Sequence, residues 1–335
     1  MGLFATNNAI TNINELILPF NTLTAYCYYC MFGWCSSLTN TPNLPAMNLA
    51  KYCYYGMFWY CYALSQVPEL PAMNLAERCY SSMFIRCTNI IGLNILPATT
   101  LAPNCYSYMF DGCSAFITPP ILPATTLADN CYSNMFQETN ISIAPALPAT
   151  TLAYYCYGGM FNSCTSLTIA PELPATTMAS NCYTWMFSGC TSLTTAPALP
   201  ATTLADSCYY YMFNNCTSLI TAPNLPATNI PNFAYHHMFE GCTSLTNPPT
   251  LSGVTIGGNS YSYMFKNCSS LINPPILSAT TISGPECYQY MFQNCTSLIS
   301  LPDLPATTLT NNCYKSMFSG CTKIKLSTTQ IGEYQ

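Results

Sequence analysis

"LPATTMASNCYTWMFSGCTSL" runs from Leu173 to Leu193, and "LPATTLADSCYYYMFNNCTSL" runs from Leu199 to Leu219, 26 residues later. The second copy keeps Leu-Pro-Ala-Thr-Thr, Cys-Tyr, Met-Phe and Cys-Thr-Ser-Leu and varies between them. Aligned on Met-Phe, the phrase occurs twelve times, at Met31, Met57, Met83, Met109, Met135, Met160, Met186, Met212, Met238, Met264, Met291 and Met317. The spacing is 26 residues, except for 25 between Met135 and Met160 and 27 between Met264 and Met291. Tandem repetition at such a period marks a solenoid, in which each repeat is one coil that buries its apolar face against its neighbours.

The columns of the repeat give the coil its expected shape. Tyr stands three residues before every Met, from Tyr28 to Tyr314. Cys stands four residues before it in ten copies, with Ala234 and Ser260 as exceptions, and four after it in eleven, with Thr139 as the exception. Cys, Met and Cys at i, i+4 and i+8 share one face of a helix, so this segment is expected to be a short helix. The Thr- and Leu-rich remainder favours extended structure. Proline columns such as Pro197 and Pro200 cannot lie inside a hydrogen-bonded sheet and are expected at corners between strands of the "TSLT" and "ATTL" type. The expected fold class is an α/β repeat solenoid, a right-handed stack of about twelve coils, each a short helix plus short strands. Helices want roughly 8–10 Å between axes and strands roughly 4.8 Å, so the stack is expected to curve with its strands inside. Residues 1–335 form a single solenoid domain in this reading, with 1–20 as its N-terminal edge and 325–335 as a C-terminal tail.

Half of the residues are hydrophobic, enough for a sizeable core, and only 6% are charged, against about 25% in ordinary domains. Seven bases and twelve acids give a net charge of −5, and the bases form no stripe, so no nucleic-acid partner is expected. No stretch approaches the roughly 20 apolar residues of a membrane span, and no membrane insertion is expected. "MGLFATNNAITNINELILPF" has no basic segment followed by an apolar run, so it does not read as a secretory signal.

Twenty-one of the 22 cysteines fall in the two repeat columns, and Cys30 is the odd one. On a helix, cysteines eight apart lie about 12 Å apart, too far for a disulfide. There is no C-x-x-C pair and there are only two histidines, so neither a metal nor any other cofactor is expected. The cysteines read as small buried hydrophobes that remain free thiols.

The frame carried by Met186-Phe187, Gly189-Cys190, Leu193 and Leu199-Pro200 resembles the BspA-like leucine-rich repeats. That family has an Ala-Phe dipeptide, Gly-Cys, a Leu-rich strand and Leu-Pro in these places. The chain departs from it in Met for Ala and in a slightly longer period. The resemblance implies a leucine-rich-repeat-like solenoid and a role in binding rather than catalysis. It implies an adhesin of the surface of gut or oral anaerobes, or the related repeats of gut bacteriophages. Lacking a visible export signal, the chain is expected in a virion assembled in the cytoplasm, with the cell surface as the alternative.

Contrast between coils locates the candidate contact surface. The residue before each Met varies freely: Cys30, Gly56, Ser82, Tyr108, Asn134, Gly159, Trp185, Tyr211, His237, Tyr263, Tyr290, Ser316. Five consecutive coils carry a ring there, at Trp185, Tyr211, His237, Tyr263 and Tyr290, with Tyr108 apart from them. On a helix this column points away from the Cys–Met–Cys face, as an aromatic comb able to stack on a sugar or dock a partner. The partner expected is a protein or a second copy of the chain, with a glycan as the alternative. A second variable column, including Glu69, Ile95, Ile121, Glu172, Ala198 and Asp303, suits a solvent-facing position on the strand side. His236 and His237 read as satisfied surface histidines. With no paired carboxylates and no phosphate-binding loop, no catalytic residue is assigned and no enzyme is expected.

Overall fold

The computed structural model describes residues 2–18 and 21–325. Most of the expected C-terminal tail lies outside the described residues. The chain divides into two compact units, Met1–Leu167 and Thr168–Gln335.

In both units the Met-Phe segment is not a helix, and no helix occurs among the described residues. In unit 2, Met186, Ser188 and Cys190 donate their N–H to the carbonyls three residues back, of Tyr183, Trp185 and Phe187, at 3.1–3.2 Å. The intervening residues Tyr183, Trp185, Phe187 and Gly189 donate instead to Cys208, Tyr210, Met212 and Asn214 of the next coil, at 2.8–3.0 Å. Every fourth residue is left-handed: φ is 56° at Asn181, 54° at Trp185 and 75° at Gly189. Unit 1 repeats the pattern, with Met83 donating to Tyr80, Phe84 donating to Met109, and positive φ at Arg78, Ser82 and Arg86. The segment is a ribbon of successive turns, cross-linked to the next coil by every second N–H.

The helix expectation fails for two physical reasons. A four-residue ribbon places Cys, Met and Cys on one face as well as a helix does, so the column spacing cannot tell them apart. The rings then decide. Tyr209, Tyr235 and Tyr261 stack at 5.7 and 5.6 Å, and Phe213, Phe239 and Phe265 at 5.6 and 5.8 Å. In unit 1, Phe58, Phe84 and Phe110 stack at 5.6 Å. Helices need roughly 8–10 Å between axes and cannot fit that rise. With similar spacing on the ribbon and strand sides, the reason given for curvature falls away.

The extended segments are short, as the prolines require. In unit 2, β1 (Asn229–Ile230), β2 (Thr255–Ile256) and β3 (Thr281–Ile282) pair in parallel, in the order β1-β2-β3. Elsewhere single parallel bridges mark the same column, such as Thr100 with Thr126 and Thr177 with Thr203.

The core is the set of inner columns. Leu193, Cys190, Met186 and Phe187 in unit 2, and Cys87, Met83 and Phe84 in unit 1, are fully buried. All cysteines are free thiols, and only Cys27 is exposed. The second cysteine of a coil donates its thiol to the Phe carbonyl of the preceding coil. Cys87 reaches Phe58 at 3.0 Å, Cys113 reaches Phe84 at 3.0 Å, and Cys242 reaches Phe213 at 3.1 Å. That carbonyl also accepts an N–H within its own coil, so the thiol occupies its second lone pair. Where Thr139 replaces the cysteine, its hydroxyl donates to Phe136 of its own coil instead, at 2.8 Å. Burial pushes the thiols up, to about 12 for Cys61 and Cys216, which keeps them protonated as donors.

Candidate functional site

The ribbon decides which side chains face outward. The residue before each Met is left-handed in all twelve coils. A left-handed L-residue costs roughly 1–2 kcal/mol, and the fold accepts that cost even for rings: φ is 54° at Trp185, 55° at Tyr211, His237 and Tyr290, and 59° at Tyr263. The inter-coil hydrogen bonds over-determine the conformation.

Five of the six candidate residues come together in unit 2. Tyr211 stacks on His237 at 4.2 Å, His237 on Tyr263 at 4.3 Å, and Tyr263 on Tyr290 at 4.9 Å, with planes within 20° of parallel. Trp185 ends the row differently, 6.1 Å from Tyr211 and tilted by 46°. Trp185 is 40% exposed; Tyr211, Tyr263 and Tyr290 are half-buried, and His237 is buried. The stacked rings use their faces on one another and present edges outward. Tyr108 stands apart in unit 1, also 40% exposed, with Ser82 and Asn134 in its column in the adjacent coils.

The histidines are not on the surface; both are 92% buried, at 8% exposure each. Their rings meet nearly perpendicularly at 4.2 Å. The His236 ring lies on Tyr210, and its Nδ1 faces the Asn259 carbonyl at 3.2 Å, so Nδ1 carries the hydrogen and donates it. Burial, aided by the neighbouring His237, pushes the His236 pKa down to about 3. His237 Nδ1 contacts the Glu240 carboxylate, and Lys266 Nζ reaches the same carboxylate at 3.1 Å. Burial works to raise Glu240, but hydrogen bonds from His237 and Lys266 outweigh it and hold the carboxyl below its usual range. Lys266 also lies over the Tyr263 ring at 5.2 Å, a favourable cation–π position. This network braces the ring row. Among the described residues no group of three or more His, Cys, Asp or Glu is placed to hold a metal ion.

The strand-side column faces solvent unevenly. Ile121 and Ile276 are 64% and 81% exposed. Furrows open between the proline bends: one of about 350 Å³ beside Glu69 and Ile95 in unit 1, and one of about 510 Å³ beside Ala198 and Asn224 in unit 2. Reading one column at a time misses the rings two and five residues before Met. Tyr210 and His236 in unit 2, and Tyr26, Tyr29, Tyr52 and Tyr55 in unit 1, also face outward or join the stacks. The signal was available, since the ribbon sets its outward positions at intervals of four.

The sequence profile for the BspA type leucine rich repeat region, in six copies, matches residues 125–298 and 261–334, more than half of the chain. The chain belongs to this BspA-type leucine-rich repeat family. Two solved structures are similar to this family member. A leucine-rich repeat protein from Bacteroides ovatus ATCC 8483 shares 17% identity, with 94% of this chain and 91% of that chain covered and a TM-score of 0.48. A leucine rich cell surface protein from Faecalibacterium prausnitzii A2-165 shares 16% identity, with 93% and 84% covered and a TM-score of 0.43. No curated protein matches the chain. Nothing in these matches supports the virion setting expected from the sequence. Among the described residues no helix is long and apolar enough to cross a membrane.

Proposed function

We propose that the protein is a non-enzymatic scaffold that works by binding, with the outward rings of its turn ribbon as the contact surface. The observation that carries this reading is the contrast within single coils. Inner columns are buried and nearly invariant, whereas Trp185 and Tyr108, at a position that other coils fill with Gly, Ser or Asn, each leave 40% of a large ring in solvent. Large exposed rings over a rigid backbone are effective anchors for a partner. The stacked Tyr211, His237, Tyr263 and Tyr290 offer a ridge of edges beside Trp185, which suits a protein partner or a second copy better than a sugar laid on ring faces. The setting we propose is the cell surface, in line with the family's adhesins.

The test pairs Trp185→Ser with Tyr108→Ser. Both side chains are exposed, so the double variant is expected to melt as the parent does. Beads coated with the parent protein are expected to adhere to cultured epithelial cells, and sedimentation at micromolar concentration reads self-association. Loss of adhesion or of self-association in the folded double variant supports the proposal; unchanged behaviour in both assays overturns it.

A further inference from the structure

The strand side of unit 1 carries a surface that the ring-bearing ribbon does not use. In its variable column Ile95 and Ile121 stand one coil apart, paired in parallel register. Ile121 is 64% exposed, and the next coil places the exposed Ala146 in the same column. A furrow of about 310 Å³ opens between these two coils, lined by Ile121, Ala146 and the prolines of both bends. The hollow follows from the sequence, since alanine stands where the two preceding coils have isoleucine. A knob and a hollow therefore lie side by side.

The surroundings are aliphatic and uncharged. Ile91, Ile117 and Ile143, in the same three coils, are each more than half exposed. They precede the column by three or four residues, at most about 14 Å of extended chain, well inside the roughly 30 Å breadth of a standard interface. Together the five isoleucines leave on the order of several hundred Å² of aliphatic surface in solvent, a size that marks an interaction site. The strand and bend segments of these coils, Thr88 to Ala102, Ser114 to Ala128 and Asn140 to Ala153, contain no charged residue. Glu69, exposed in the preceding coil of the column, stands where a polar rim belongs.

We infer that two copies of the chain pair on this face about a two-fold axis, the Ile121 of each filling the furrow over Ala146 of the other. Three features select a second copy as the occupant. A surface ridged at the coil spacing is matched by a partner ridged at the same spacing, and another copy is so by construction. Knob and hollow are neighbours on one surface, so a two-fold axis between them makes both contacts at once. That is the self-complementarity of an isologous interface, which closes at two copies. With no charge on the three segments, pairing them strips no ion of its water. A sugar finds no aromatic face here to lie on.

Sedimentation equilibrium of the full chain at micromolar concentration tests the pairing. The parent is expected to form a dimer and no larger species. Ile121→Ala removes the knob and Ala146→Ile fills the hollow, and each is expected to weaken the dimer by about tenfold or more. The two changes combined exchange knob and hollow and are expected to restore it, a non-additivity that marks sites in contact. Ile276→Ala, at an exposed isoleucine of unit 2 in the same column, is expected to leave the dimer unchanged. So is Trp185→Ser with Tyr108→Ser, which separates this interface from the ring surface. Should Ile121→Ala fail to fold, Ile121→Thr, which keeps the β-branch, reads the same quantity. The proposal is overturned if the parent sediments as a monomer, if either single variant dimerises as the parent does, or if the combined variant stays dissociated. Dissociation by Ile276→Ala or by the ring variants would overturn it as well.

Discussion

The ribbons of the two units share their inner columns and differ in nearly everything they turn outward. Around Met83 and Met109 in unit 1, the outward positions carry Ser81 and Ser107, whose hydroxyls meet at 2.8 Å, and an ion pair in which Arg86 reaches Glu138 at 2.8 Å. Arg86 passes over Gly112, where a Cβ would lie 2.4 Å from its side chain. Around Met212 and Met238 in unit 2, the places of Ser81 and Ser107 are taken by Tyr210 and His236, which with the adjoining Tyr211 and His237 are stacked and crossed at 4.2–6.2 Å. The Phe and Tyr columns beneath are alike in both. The inner columns therefore suffice for the coil, and the outward ones are free to differ between the units.

If the cores are equivalent, deleting a ring from the middle of either should cost the same. Phe84→Ala in unit 1 and Phe239→Ala in unit 2 each remove a ring stacked on both sides, and each is expected to cost about 3–5 kcal/mol in urea unfolding. Phe318→Ala should cost clearly less, because among the described residues that ring stacks only on Phe292. A large gap between Phe84 and Phe239 would break the equivalence of the cores.

The outward faces should respond to pH in opposite senses. In unit 2, the His236 pKa is lowered to about 3, so between pH 3 and roughly 6.5 the unfolded state binds a proton that the folded state does not. Stability there is expected to fall on acidification by up to about 1.4 kcal/mol per pH unit within that window. In unit 1, burial raises Asp111 to about 6, with Arg86 opposing and Glu138 adding. Its folded state keeps the proton longer, so stability falls as pH rises from roughly 4 to 6, by a smaller amount because the carboxyl is only partly buried. Hydrogen exchange of peptides from each unit at pH 4.5 and pH 7 reads both signs. Asp111→Asn should remove the unit 1 effect and His236→Phe the unit 2 effect. Shifts of the same sign in the two units, surviving both substitutions, would refute the assignment.

The thiols should behave alike in both units, with one exception. Native protein is expected to expose only Cys27 to a thiol reagent, and denatured protein all 22 cysteines. Rapid labelling of many thiols in the native state would contradict the ladder of thiol-to-carbonyl bonds.

Much of this was legible in the sequence. Period, coil count and buried columns follow from the Met-Phe, Cys and Leu positions, because identical residues 26 apart lie one coil above another. The prolines gave the corners, since they exclude a ladder hydrogen bond. The helix was a misreading. A four-residue spacing fits both a helix and a left-handed residue at every fourth position; the positive φ values, the N–H bonds to the next coil and the 5.4–6.0 Å ring stacking along the Tyr and Phe columns separate them. That error carried into the site. Trp185, Tyr211, His237, Tyr263 and Tyr290 do form a row, but the facing sides of Tyr211, His237, Tyr263 and Tyr290 close on one another and His237 is buried, because the coils sit closer together than helices would. The stacked pairs Tyr26–Tyr52, Tyr29–Tyr55 and Trp34–Tyr60 escaped notice because they lie in three different columns that only the ribbon brings side by side.

The left-handed position at every fourth residue sets which side chains face outward, and Ser207 tests it most directly. Its φ is 57°, and its N–H donates to Asn232 of the next coil at 3.0 Å. Glycine relieves the strain of a left-handed L-residue but weakens a helix interior. Ser207→Gly is expected to raise the stability measured by urea unfolding by about 1 kcal/mol. A loss of about 0.5–1 kcal/mol, the cost of glycine in a helix, would contradict it.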